Sequence, residues 1–223
     1  MVINFARGLI AASLTGALAA TAPPATADPT PDPLQSVPLR QAIDELPVAP
    51  EDRTGYQRSR FRHWTDEDGD SCSTRAEVLI AEAVHAPQVG PGCALTGGRW
   101  LSYYDDVHVD SARKLDVDHM VPLAEAWDSG ASQWTAERRE QYANDLDFER
   151  SLVAVTARSN RSKADRDPAQ WWVPSPQASC TYLADWVATK TRWRLSVDQA
   201  ELAALNERAA TCPDVVLTVP IAN

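Results

Sequence analysis

The chain has 223 residues, enough for one domain with its own core, and 31 Asp and Glu against 21 Lys and Arg give a formal charge of −10. That balance excludes a protein that holds polyanions through overall basic charge, although local patches can still bind phosphate. No apolar run reaches the roughly 20 residues that span a bilayer.

Met1 to Arg7 carries one positive charge, Gly8 to Ala20 is apolar or small, and Ala25-Thr26-Ala27 is a small-x-small site. Residues 1–27 therefore read as a secretory signal peptide, and the chain as secreted and extracellular. Residues 28–50, opening DPTPDP, read as an extended Pro-rich leader, 51–215 as the folded domain and 216–223 as a tail. Four cysteines in an exported chain imply two disulfides, and three pairings are open. The sequential one, Cys72 with Cys93 and Cys180 with Cys212, is favoured, at about 3 kcal/mol each. A Cys-zinc site competes poorly, because there is no CxxC pair.

In DEDGDSCSTRAE, Asp66, Asp68 and Asp70 fall at positions 1, 3 and 5 and Glu77 at 12, the ligand positions of a calcium loop. Ser71 stands where that loop requires Gly, and Glu77 is also claimed by a capping box from Thr74, which opens a helix to about Val84. A solvated acidic turn is the competing reading. Residues 90–98 read as loop and 99–104 as extended. A strand is predicted over Leu115–Val117 and a second over Leu152–Thr156. Helical stretches lie between them near 123–127 and 136–143, the latter capped by Thr135. A short helix from Asn160 to Ala164 follows, ended by Pro168. In the tail, Tyr182, Leu183, Trp186, Val187 and Lys190, then Leu202, Leu205 and Ala209, recur at helical spacing, the second helix capped at Ser196 or Asp198. An up-down hairpin of these two helices would bring Cys180 to Cys212. The fold class is α+β.

Asp118 and His119 in KLDVDHMVPL, and Asn160 in SLVAVTARSNRSKADRDP, carry the chemistry. A carboxylate, an imidazole and a distant amide supply a metal ligand, a base and a second ligand, which is what phosphodiester hydrolysis requires. Neighbours on a strand point to opposite sides, so the pair must sit at a strand end, and Pro122 fits the turn. Arg158, Arg161, Lys163 and Arg166 form a basic patch beside Asn160, of which Arg161 and Lys163 are the candidate phosphate contacts; a solvated helix face is the alternative. Asp116 is placed to support Asp118. His63, His85 and His108 are read as non-catalytic, and Asp106, His108 and Asp110 as the polar side of a strand.

DHMVPLAEAWDSGASQW, YANDL and NRSKADRDPAQWW resemble the secreted HNH endonuclease proteins of actinobacteria, a branch of the ββα-metal nucleases related to the C-terminal domain of GmrSD-type restriction enzymes, over about Tyr56 to Cys212. The resemblance implies a ββα-metal core with helical insertions and a C-terminal helical hairpin. It further implies Asp118 and Asn160 as metal ligands, His119 as general base, and Asn144 as the residue that holds the loop after the first strand. An Asn where many relatives have His favours Mg²⁺ or Mn²⁺ over zinc. The expected partner is nucleic acid, DNA with RNA left open as a substrate, cut with little sequence preference by a monomer with no membrane contact. An inactive, calcium-stabilised extracellular binding module on the same fold, and a hydrolase of some other phosphodiester, are the alternatives.

Overall fold

The computed structural model describes residues 34–222, so the signal-peptide reading of 1–27 lies outside the described residues. β1 (Leu34–Pro38) runs into α1 (Leu39–Glu45), which buries Leu39, Ala42 and Ile43 at helical spacing. At the other end β8 (Val216–Pro220) pairs antiparallel with β1, from Leu34 opposite Pro220 to Pro38 opposite Val216, and buries Leu217 and Val219. Residues 34–46 and 216–222 are thus part of the core. For 34–46 this corrects the reading as a leader outside the fold, and for 216–222 the reading as a tail. Pairing β1 with β8 satisfies backbone groups that neither segment could satisfy alone.

Between these ends the elements follow in order. α2 (Thr74–Ala81) is capped by Ser73, whose side chain accepts from the Ala76 N–H; the expected box at Thr74 is therefore displaced by one residue. β2 (Gln88–Gly90) pairs with β3 (Ala94–Thr96), and β4 (Trp100–Ser102) with β5 (Val107–Val109). β6 (Leu115–His119) is followed by α3 (Leu123–Asp128) and by α4 (Ala136–Ala143), capped by Thr135. β7 (Leu152–Thr156) returns antiparallel to β6, setting Asp118 opposite Val153 and His119 opposite Leu152. α5 (Ala157–Lys163) follows at once; it begins a turn earlier than expected because Thr156 caps it, accepting from the Ser159 N–H. α6 (Ser179–Trp193) and α7 (Gln199–Ala209), the latter capped by Asp198, complete the α+β fold. The cysteines pair as Cys72–Cys93 and Cys180–Cys212.

The β6–β7 hairpin divides two apolar clusters. Leu115, Val117, Leu152 and Ala154 face Val78, Leu79 and Trp100. Val153 and Val155, on the opposite face, join the larger core with Tyr182, Trp186 and Val187 of α6. Because side chains alternate along a strand, Asp116 and Asp118 lie on the α6 side and His119 on the α2 side.

One polar knot sits inside the larger core. The Lys190 ammonium, fully buried, lies 2.7 Å from Glu125 Oε1 on α3, 2.8 Å from Glu201 Oε2 on α7, and 2.8 Å from Ser129 Oγ and the Ser196 carbonyl. Trp186 Nε1 donates to the other Glu201 oxygen. Two carboxylates share one cation, so burial pushes Glu201 up to about 7 against the attraction of Lys190. A raised folded value means that the proton on Glu201 stabilises the fold fully below about 4.5 and that this contribution is lost as pH rises through about 7. Lys190→Met should cost about 3–5 kcal/mol at pH 7, the effect of leaving buried charge uncompensated. The deficit should shrink between pH 7 and pH 5 as Glu201 takes up its proton. Urea unfolding at the two values tests this, and a loss that does not depend on pH would refute the shared-cation account.

Candidate active site

The Asp118 carboxylate is buried at the junction of β6, α5 and α6. Its Oδ2 accepts from Lys163 Nζ at 2.5 Å and from the Tyr104 hydroxyl at 2.7 Å. Lys163 also donates to the backbone carbonyls of His119 at 2.9 Å and Met120 at 2.8 Å. Its ammonium lies 5.7–5.9 Å from the ring centres of Tyr104, Tyr182 and Trp186. Burial pushes the Asp118 carboxyl up and the Lys163 ammonium down, and the attraction between them opposes both shifts. Lys163 is 0% exposed and cannot reach a substrate phosphate. That corrects its reading as a phosphate contact: the aromatic faces and Asp118 draw it inward, and it organises the strand end instead.

One turn earlier on the same face of α5, Asn160 Nδ2 donates to Asp116 Oδ2 at 3.2 Å. Thr156 takes the capping role, so the Asn160 side chain is free of the helix end. Asp105 holds that end in place, its Oδ2 accepting from the hydroxyls of Thr156 at 2.6 Å and Ser159 at 2.8 Å. Arg161, largely exposed, lies 3.8 Å from Asp116.

His119 closes β6 on the other side of the strand. Its Nε2 donates to the Ala143 carbonyl at 2.9 Å, which assigns the proton to Nε2 and makes Nδ1 the acceptor. Among the described residues Nδ1 has no protein partner, and it is not among the sealed, unpaired polar atoms. Burial, assisted by repulsion from Arg58, His63 and Lys163, pushes the imidazole down to about 3 against the Ala143 bond, so the ring is neutral at neutral pH. Trp64 stacks on it at 5.1 Å between ring centres.

The Ala143 carbonyl is itself fixed by the next two residues. Asn144 uses its whole amide: Oδ1 accepts from the Thr65 N–H and the Thr74 hydroxyl, and Nδ2 donates to the carbonyls of Arg62 and Glu140. Asp145 takes both arms of Arg192, at 2.7 and 2.8 Å, together with Trp193 Nε1 and the Ser151 hydroxyl. Asn144 therefore ties the Ala143–His119 contact to α2 and the 62–65 segment, and Asp145 ties it to α6.

Two acidic groups stand apart. The oxygens of Asp66, Asp68 and Asp70 come within 4.8 Å of one another on an exposed loop, and their repulsion adds to burial in raising Glu77. Glu51, Glu125 and Asp167 form a second such triad, where burial and then repulsion from Glu125 push Glu51 up to about 7. His63, read from sequence as non-catalytic, has its ring 6.3 Å from that of His119.

The donor set suits a hard divalent ion. One oxygen of Asp118 is committed to Lys163 and Tyr104, and the amide nitrogen of Asn160 to Asp116. Among the described residues Asp118 Oδ1 and Asn160 Oδ1 have no partner, and oxygen donors alone favour Mg²⁺ or Mn²⁺.

Residues 91–208, which include Asp118, His119, Asn144 and Asn160, match the family described as GmrSD restriction endonucleases, C-terminal domain. A protein of Arthroderma benhamiae described as an uncharacterized secreted protein is 38% identical over 195 residues, covering 87% of this chain and 93% of that one. The secreted location expected from the sequence agrees with it, and no described helix is long and apolar enough to cross a membrane. No solved structure matches the chain.

The Asp145 clamp has a measurable consequence. Asp145→Ala leaves the Arg192 guanidinium buried without its carboxylate and should destabilise the fold by about 3–5 kcal/mol in denaturant unfolding. A loss below about 1 kcal/mol would mean that the clamp does not hold the loop.

Proposed function

The chain belongs to the family of GmrSD restriction endonucleases, C-terminal domain, and from that membership and the site's geometry we propose that it is a secreted, divalent-metal-dependent endonuclease. Its substrate is the phosphodiester backbone of nucleic acid, DNA first and RNA as a second substrate, cut with little sequence preference. On this reading β6, β7 and α5 are a ββα-metal core of the HNH type. The observation that carries it is the bonding of His119: its Nε2 is committed to the Ala143 carbonyl, which leaves Nδ1 as the acceptor on the residue next to Asp118.

Asp118 Oδ1 and Asn160 Oδ1 would hold the ion. When bound, Mg²⁺ or Mn²⁺ supplies positive charge against the negative charge that builds on the scissile phosphate and its leaving oxygen. His119 takes the proton of the attacking water at Nδ1, and the Ala143 carbonyl keeps the imidazole in the tautomer that allows it. Lys163 holds the strand end that carries both residues. The Asp66–Asp68–Asp70 triad gives a calcium-stabilised binding module its one supporting observation. Calcium there is compatible with cleavage at His119, so activity decides between the two readings.

Nicking of supercoiled plasmid with Mg²⁺ or Mn²⁺, abolished by chelator, is the expected result. His119→Ala should lower the rate by about two to four orders of magnitude, the usual share of a general base. A wild-type rate in that variant would remove His119 from the mechanism. Absence of any metal-dependent cleavage by the wild type, on plasmid or RNA, would leave the binding module as the better reading.

A further inference from the structure

We propose that the Arg58–Trp64 segment is the substrate wall of this site, with Arg58 and His63 contacting the phosphodiester backbone in front of His119; this rests on the nuclease reading. The segment lies outside the 91–208 family match. His63 Nδ1 pairs with the Phe61 carbonyl at 2.8 Å, while among the described residues its Nε2 has no partner. The ring is half-buried and lies 6.3 Å, edge-on, from the His119 ring, so the unpaired Nε2 belongs to the surroundings of the base.

Arg58 is exposed on the turn Arg58–Arg60, five residues before His63 on the same segment. Among the described residues it has no carboxylate partner, in contrast to Arg53, Arg62 and Arg161, and its side chain hydrogen-bonds to Tyr56. Arg53 pairs with Asp128, Arg62 with Glu140 and Arg161 with Asp116, and Arg60 lies over the Trp127 ring. In a chain of net charge −10, an exposed guanidinium without a carboxylate, on the segment that carries His63, is a group an anionic phosphate would pair with.

The backbone is held for this purpose. Trp64 has φ +60°, a left-handed conformation that costs an aromatic residue energy and persists only where its surroundings impose it. Asn144 brackets it, donating to the Arg62 carbonyl before it and accepting from the Thr65 N–H after it. Phe61, 1% exposed, pins the segment among Tyr56, Trp127 and Tyr142. A single residue, Asn144, thus positions both the base and the wall facing it.

The test uses the full chain and a fluorescein-labelled DNA duplex, with binding followed by anisotropy in chelator across a range of salt and nicking followed in Mg²⁺. Arg58→Gln should weaken binding about tenfold and reduce the slope of log affinity against log salt by about 0.9, the signature of one lost phosphate contact. Arg113→Gln, the same change of charge at an exposed turn before β6, should leave the slope unaltered. His63→Ala should lower kcat/KM about tenfold, the worth of a hydrogen bond to a charged group, with the same metal concentration for half-maximal rate. Wild-type affinity and slope in Arg58→Gln, or an equal loss in Arg113→Gln, would overturn the proposal. If His63→Ala fails to fold, Arg58→Gln decides alone. A wild-type protein that neither binds nor cuts nucleic acid would instead overturn the nuclease reading itself.

Discussion

The buried Lys163 ammonium is the constraint on which the rest of the site depends. Removing an ammonium from water costs several kcal/mol, and only close, well-directed acceptors offset it. Asp118 Oδ2 and the carbonyls of His119 and Met120 are those acceptors, and the faces of Tyr104, Tyr182 and Trp186 add cation–π attraction. Since all three acceptors lie in consecutive residues of β6 and its exit, satisfying one cation fixes α5 against the strand end. Asn160, three residues before Lys163, is carried to Asp116 by the same docking.

Strand alternation then explains why the site needs two supports. Asp118 faces α5 and α6, whereas His119 faces Trp64 and Ala143. Lys163 steadies the first side and the Asn144-Asp145 pair the second. Both supports draw on α6, through Tyr182 and Trp186 on one side and Arg192 and Trp193 on the other. The helix is locked in turn to α7 by Lys190 and Cys180–Cys212. The C-terminal hairpin is therefore part of the site's framework, although no residue assigned to chemistry lies in it.

How much of this was legible in the sequence depended on how local each signal was. Leu152–Thr156, α4 with its Thr135 cap and the helical hairpin announce themselves within a dozen residues. β1 and β8 do not, since each is a short, Pro-bounded run that becomes a strand only against a partner some 180 residues away. Lys163 misled for a related reason. In NRSKADRDP it reads as one more surface cation, and only the aromatic faces of Tyr104, Tyr182 and Trp186 make burial the lower-energy choice. His63 was read as non-catalytic because a lone histidine carries no local mark of function. Its proximity to His119 arises from the 62–65 backbone being stitched to Asn144, a contact across about 80 residues.

The acidic balance of the chain also becomes consistent with a phosphodiester substrate once its charges are placed. Asp118, Asp128, Asp145 and Glu125 are buried and paired with Lys163, Arg53, Arg192 and Lys190, so each adds little unneutralised charge to the surface. The Asp66–Asp68–Asp70 group is exposed, but a Debye length of about 8 Å at physiological salt limits how far its field reaches. A phosphate arriving near His119 would therefore respond to the groups within that distance rather than to the total charge. Arg58 lacks a carboxylate among the described residues, whereas Arg161 already lies beside Asp116. Local pairing, more than net charge, decides which cations remain available to a substrate.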